Sequence, residues 1–327
     1  MSTDIAFLAE FADGQPARSA LELAAGAAAL AKASGGQAVA LCYGSGARAG
    51  AAQLGAAGAH RAVVLGDEEA PAITVAAAAA AVTSEVEPLA LLAPASPNGR
   101  DLAAALVGLL ELPAFGPVRA VSVDGGTLKA EQSTLQGSVI TTSQPADGAP
   151  QPAVVLVLAN TFTPVEGGSG SADVSDAPST DAGAFGKARI VESHPADAAV
   201  ANLEEASVIV AGGRGVGSEA GFAPLHDLAA ALGGAVGASR AAADAGWVPY
   251  QLQIGQTGKV VKPSLYMGIG ISGAIQHRVG MQTAENVVAI NKDPDAPIGE
   301  FADLFVVGDL FAIVPKLTEE IKRRKGK

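Results

Sequence analysis

The sequence predicts a two-domain α/β protein. Its 327 residues exceed one ordinary domain. Both halves alternate short apolar runs with Ala- and Leu-rich helical stretches, the pattern of a mostly parallel sheet. Between them, from Glu166 to Gly186, lies a stretch of Gly, Ser, Ala, Asp and Pro with linker composition. The boundary is placed at its end, giving domains over 1–186 and 187–327.

In the N-terminal half, Ile5–Ala9, Gln37–Tyr43, His60–Leu65 and Leu89–Ala93 read as strands. Ala17–Lys32 reads as a helix, with Leu23, Ala27 and Leu30 at helical spacing, stopped by Ser34-Gly35-Gly36. Ile73–Val82 is a second helix, and Asp101 is placed to cap a third that runs to Leu112. The texture then changes. Val118–Val123, Thr127–Gln132, Gly137–Ser143 and Ala153–Leu158 are strand-like, some of them antiparallel, with a hairpin turn at Gly125-Gly126.

The C-terminal half alternates again. Strands are expected at Ser207–Ala211, Ala235–Ala238, Leu265–Ile269, Val287–Ile290 and Leu304–Val307. Helices are expected at Gly221–Leu232, from Ala274, and at Leu310–Arg324. The first has Phe222, Leu225, Leu228 and Leu232 on one face.

Composition narrows the function. Hydrophobic residues make up 49% but aromatics only 4%, so the core is built from Ala, Val, Leu and Ile. A net charge of −12 argues against a general nucleic-acid binder. The basic tail Lys322–Lys327 reads as cations on the last turn of a helix. The one cysteine, Cys42, sits in an apolar run, which fits a reducing compartment. There is no leader pattern at the N-terminus, and Val75–Val82 is too short to span a bilayer. A soluble, cytoplasmic chain is expected, with no membrane insertion and no nucleic acid.

Arg214, Ser239 with Arg240, Ser272, Asn291 and Asp309 all fall just after expected strands. In open parallel sheets ligands sit outside the carboxyl ends of the strands, so these residues converge on one rim. Gly270 to Ala274, between a strand and a helix, offers bare backbone N–H groups for an anion. Gly212-Gly-Arg-Gly-Val-Gly217 lacks the dinucleotide spacing, and a tight turn explains it nearly as well as phosphate binding by Arg214. Arg240 is either a surface partner of Asp244 or a cation beside a redox ring that becomes anionic. Thr257 is either a turn residue or a hydrogen-bond partner for a ring nitrogen, and Lys259 is expected to be solvated. Of four histidines, His60 and His194 read as surface or structural and His226 as exposed. His277 follows the Gly-Ile-Ser-Gly turn and is the functional candidate. No nucleophile elbow, P-loop or metal motif occurs, and thiol chemistry at Cys42 is not expected. Such a chain relies on its cofactor's chemistry.

Gly212-Gly-Arg-Gly215, Val236-Gly-Ala-Ser-Arg240, Asp244-Ala-Gly246, Gly255-Gln-Thr-Gly-Lys259, Leu265-Tyr266, Gly270–His277 and Ala289–Pro294 together resemble the alpha subunit of electron transfer flavoprotein, in the family's order. The match is specific from Ser207 to Lys322 and looser before it. It implies an N-terminal α/β domain with a mostly parallel sheet and some antiparallel strands, facing a partner. It implies a C-terminal parallel α/β domain, Rossmann-like and doubly wound, that binds FAD.

The implied cofactor residues are Arg214, Ser239, Arg240, Ile254, Gly255, Gln256, Thr257, Ser272, Gly273, Ala274, Ile275, Gln276, His277, Asn291, Asp309 and Leu310. Of these, Ser239 and Arg240 would flank the isoalloxazine, Thr257 would approach N5, and His277 would approach the pyrimidine side. Arg240, Thr257 and His277 would tune the ring. Asn291 and Asp309 would hold the adenosine end. No metal is implied.

The implied protein is a non-enzymatic electron carrier, heterodimeric with a beta subunit that holds AMP. It would pass electrons in fatty-acid β-oxidation from acyl-CoA and related dehydrogenases to a membrane quinone oxidoreductase. An electron-bifurcating, NADH-oxidising complex and a non-redox nucleotide-binding regulatory module are the alternatives.

Overall fold

A computed structural model describes residues 2–135, 139–165, 167–192 and 203–326. The chain divides into two compact units, Met1–Ser193 and His194–Lys327. His194, Glu166 and the first residues of the expected strand from Gly137 lie outside the described residues.

In the first unit the strands are β1 (Ile5–Ala12), β2 (Gln15–Pro16), β3 (Ala38–Gly44), β4 (Arg61–Val64), β5 (Ala90–Pro94), β6 (Ala114–Val118), β7 (Ala120–Asp124), β8 (Thr127–Thr134), β9 (Val139–Ser143), β10 (Ala153–Val157) and β11 (Asp173–Asp176). Its helices are α1 (Arg18–Ser34), α2 (Ala47–Gly50), α3 (Ala76–Val86) and α4 (Pro97–Leu110). The main sheet runs β11-β4-β3-β1-β5-β10-β6, parallel throughout, with β2 antiparallel at the end of β1. Its two faces carry separate apolar layers. Ile5, Phe7 and Ala9 meet Leu23, Ala27 and Leu30 of α1. Ala6 and Leu8 meet Ala79 and Leu102 of α3 and α4. β7, β8 and β9 form a small antiparallel sheet. The Gly125-Gly126 turn joins two of its strands with positive φ at both residues, as the hairpin requires.

Three sequence expectations are corrected here. Ser96, not Asp101, caps α4: its hydroxyl accepts from Gly99 N, and Pro97 begins the helix with its φ already helical. The run Val118–Val123 is two strands in two different sheets, divided at Arg119. The linker-like stretch contains β11, an edge strand paired with β4. Most of β11 is exposed, so it needs no apolar alternation. Ala172 and Phe185 on either side of it pack into the cores, and Arg48 pairs with Asp176.

The second unit contains β12 (Val208–Gly212), α5 (Ala223–Leu232), β13 (Ala235–Ala238), α6 (Arg240–Asp244), β14 (Leu265–Ile269), α7 (Ile275–Arg278), β15 (Val287–Asn291), β16 (Leu304–Val307) and α8 (Leu310–Arg324). Every strand pairing is parallel, in the order β13-β12-β14-β15-β16. This is a doubly wound arrangement with the reversal of winding between β12 and β14. Val210, Met267 and Ile290 point to the face covered by α5 and α8. Ile209, Tyr266 and Ala289 point to the other. Of the terminal cations, Lys325 Nζ donates to the carbonyls of Ala231 and Leu232 at the end of α5, and Arg323 and Arg324 pair with Glu320.

At the reversal the two loops touch backbone to backbone. Gly213 N donates to Ile269 O (2.9 Å) and Gly215 N to Gly270 O (3.0 Å). A Cβ on Gly213 would lie 2.3 Å from Gly270 O, a backbone atom that has nowhere to go. Gly213→Ala is therefore expected to destabilise this unit by about 1–3 kcal/mol. Urea unfolding followed by fluorescence of Trp247, the only tryptophan in the chain, checks this; an unchanged midpoint would contradict the packing described.

Candidate functional site

Parallel pairing puts the carboxyl ends of β12 to β16 on one edge of the sheet, and the polar residues expected there follow from it. Arg214 opens a 3₁₀ turn after β12 and is exposed. Ser239 and Arg240 follow β13, Ser272 to His277 follow β14, Asn291 ends β15, and Asp309 follows β16. Hydrogen bonds lace these ends together. Ser239 N donates to Gly212 O, Ile298 N to Ser272 O and Gly308 N to Asn291 O, each at 2.9 Å. Asn291 Nδ2 donates to Ile271 O at 3.0 Å. Asp309 is held as the N-cap of α8, accepting from Phe311 N, with Leu310 buried beside it.

The loop Ile254–Lys259 joins the same edge. Ile254 N donates to Ala238 O and Gln256 N to Gln276 O, so the loop bridges the end of β13 to α7. Gly255 has φ +144, and a Cβ there would meet Gln276 O at 2.8 Å, so glycine is required. Buried Gln253 donates through Nε2 to Thr257 Oγ1 at 2.9 Å. Thr257 is exposed, and its hydroxyl hydrogen stays available to donate. Lys259 differs from expectation: it is mostly covered and pairs with Glu204 at 3.7 Å rather than being solvated.

The helix expected from Ala274 is a single turn, α7. Gly273 (φ +83) packs against the backbone of Ile298, and the amides of Gly273, Ala274 and Ile275 have no backbone acceptor among the described residues. Ile275 and Gln276 are exposed, whereas His277 is buried. Arg240 is 66% exposed and pairs through Nε with Asp244 Oδ2 at 3.3 Å, so its surface pairing is present. Asp244 Oδ1 in turn accepts from Tyr250 OH at 3.1 Å, which fixes the carboxylate from its other side. Among the described residues only Nε is engaged, and the two terminal amino groups of Arg240 remain open to a ligand.

Two buried polar atoms on this edge have no hydrogen bond among the described residues: Ser239 Oγ and His277 Nδ1. Ser239 stands at the N-cap of α6, yet its hydroxyl caps nothing. Buried polar groups are rarely left unpaired, so these two are buried atoms on this edge with hydrogen-bonding capacity to spare. Sequence patterning alone does not single out three aromatic residues of this unit. Tyr250 and Phe311 are both exposed on the edge, and Tyr266 OH lies 2.6 Å from His277 Nε2. For Tyr266 a phenol in the apolar run Leu265–Ile269 was the available signal, because a buried Tyr hydroxyl needs a partner.

Elsewhere the expectations for lone residues hold in outline. His226 is exposed, and His60 accepts from Ala38 N through Nδ1. Cys42 is fully buried, which pushes its thiol up to about 12 and leaves it inert. Among the described residues no group of metal-ligating side chains occurs, and no helix is long and apolar enough to cross a membrane.

Burial pushes His277 down to about 4, opposed in part by a backbone contact to Ile254. The unfolded imidazole takes its proton near 6.5. Between about pH 6.5 and 4 the unfolded chain therefore binds more protons, and stability falls as the pH drops, by roughly 3 kcal/mol at most. His277→Gln is expected to flatten this acid limb of the Trp247 unfolding midpoint; an unaltered slope would contradict a buried neutral imidazole.

Two family models match this chain. One, described as the electron transfer flavoprotein domain, covers residues 5–182. The other, described as the electron transfer flavoprotein FAD-binding domain, covers residues 202–282. The electron transfer flavoprotein subunit alpha of Mycobacterium leprae is 44% identical over 262 residues, 76% of each chain. The same-named subunit of Mycobacterium tuberculosis is 63% identical over 119 residues, 36% of this chain and 37% of its own. That of Bacillus subtilis is 62% identical over 122 residues, 37% of this chain and 38% of its own. The alignments with the last two span less than two thirds of those proteins. With matched models over both halves and a relative aligned across three quarters of its length, the chain belongs to the electron transfer flavoprotein alpha subunit family.

Proposed function

We propose that this chain holds FAD along the carboxyl edge of β12–β16 and carries single electrons. The observation that carries the reading is the pair of unmet buried polar atoms, Ser239 Oγ and His277 Nδ1, on two loops of that edge that the Ile254–Lys259 segment bridges. They fit a ring with polar atoms on its rim. When bound, FAD supplies reversible electron uptake at its isoalloxazine ring.

The protein's residues do the rest. Ser239 and Arg240 would flank the ring, and Thr257, held by Gln253, would offer its hydroxyl hydrogen to N5. Gly255 and Gln256 keep that loop against α7. His277 would contact the pyrimidine side while neutral. Arg214, the amides of Gly273 and Ala274, and the turn of Ser272, Ile275 and Gln276 contact the cofactor, with Arg214 and the free amides suited to the diphosphate. Asn291, Asp309 and Leu310 would border the adenosine end, and Ile254 would contact the cofactor.

Arg240 provides the positive charge near a ring that gains negative charge on reduction, which favours the reduced form by Coulomb attraction. Asp244 and Tyr250 orient that guanidinium. The rest of the reading extends outward. The chain pairs with a beta subunit that holds AMP, takes electrons from acyl-CoA and related dehydrogenases, and delivers them to a quinone oxidoreductase, in the cytoplasm.

Co-purification with the beta subunit should give a yellow complex with one FAD, released on denaturation and counted by absorbance, and one AMP. A folded complex without flavin would sink the proposal. Arg240→Ala should lower the flavin midpoint potential by tens of millivolts in a dye-linked reductive titration, with a smaller difference at high salt. An unshifted potential would remove Arg240 from the role given to it.

A further inference from the structure

Along β14 the alternation sends Met267 to the α5–α8 face and Tyr266 to the opposite one, where Ile254 and Ile271 also pack. The Tyr266 side chain is fully buried. Its oxygen lies 2.6 Å from His277 Nε2, with the rings tilted at 55°. Tyr266 is paired within the sheet, and His277 lies in the single turn α7.

One hydrogen is shared between these atoms, and there are two ways to place it. If His277 Nε2–H donates to the phenol, the phenolic hydrogen is left buried with no acceptor, and Nδ1 becomes a bare lone pair in the interior. If the phenol donates to Nε2, its hydrogen is satisfied and the ring hydrogen of a neutral imidazole must sit on Nδ1. There it has no acceptor among the described residues, which leaves one buried hydrogen unmet instead of a buried hydrogen and a bare lone pair.

We infer that Tyr266 donates to His277 Nε2 and so holds the imidazole as its neutral Nδ1–H tautomer, turning His277 into an uncharged hydrogen-bond donor at the edge. Tyr266 is a positioning residue: it acts through His277 and touches no ligand itself. The use of that donor rests on the reading of His277 as a flavin contact. An N–H at Nδ1 suits a ring carbonyl oxygen, which accepts, and it adds no net charge. The charge is thereby left to Arg240, and the two residues do separate jobs.

The tautomer is measurable without flavin. Nitrogen NMR of ¹⁵N-histidine-labelled chain, purified with its beta subunit at pH 7, separates protonated from bare ring nitrogens. The His277 signals are those lost in His277→Gln. The wild type is expected to show a protonated Nδ1 and a bare, hydrogen-bonded Nε2. Tyr266→Phe should raise the share of the Nε2–H form about tenfold, the equivalent of one hydrogen bond. A wild type with Nε2–H overturns the inference whether or not the variant folds, and so does an unchanged ratio in a folded variant. If the complex carries no flavin, the proposed function fails while the tautomer result still stands on its own. If flavin is bound and Nε2 carries the hydrogen, only this inference fails.

Discussion

The parallel order β13-β12-β14-β15-β16 is the constraint on which the second unit depends. Parallel strands deliver every loop that follows a strand to the same edge. Winding reverses between β12 and β14, and there the two loops meet backbone to backbone. The reversal is possible here because Gly213, Gly215 and Gly270 have no side chains, and their backbones meet directly. From that contact outward, one hydrogen bond after another ties each strand end to its neighbour.

Under the proposed flavin reading this edge has a division of labour. Arg240 is exposed and kept in place by Asp244, which is itself braced by Tyr250. His277 is buried, with Tyr266 OH 2.6 Å from its Nε2. Charge and hydrogen bonding thus come from different residues with different exposure. A solvent-facing cation is screened and adjusts a potential gently, whereas a buried neutral donor is insensitive to salt. Such a site suits reversible electron transfer, which needs a tuned ring and no proton donor of its own.

Much of the fold was legible because the apolar runs are short and clearly punctuated. β13, β14 and β16 and α8 fall where Gly, Ser-Arg and Gly-Asp end each run. The same punctuation located the edge residues, since each lies immediately after a strand. Less legible were features set by long-range pairing. β11 is a polar edge strand whose sequence reads as linker, and only its pairing with β4 makes it a strand. Asp101 looked like a cap, but Ser96 with Pro97 begins the helix one turn earlier. The partners of the site residues were hidden for the same reason. Lys259 with Glu204 and Tyr266 with His277 are separated by many residues in sequence, and no local pattern joins them.

The proposed placement of FAD along this one edge, its ring against Ser239 and His277, is tested most directly by a crystal structure. The chain would be crystallised with its beta subunit in the presence of FAD. Ring density is expected within hydrogen-bond distance of Ser239 Oγ and His277 Nδ1, with the diphosphate over the turn at Gly273. Flavin density at the amino ends of the strands, or in the first unit alone, would contradict it.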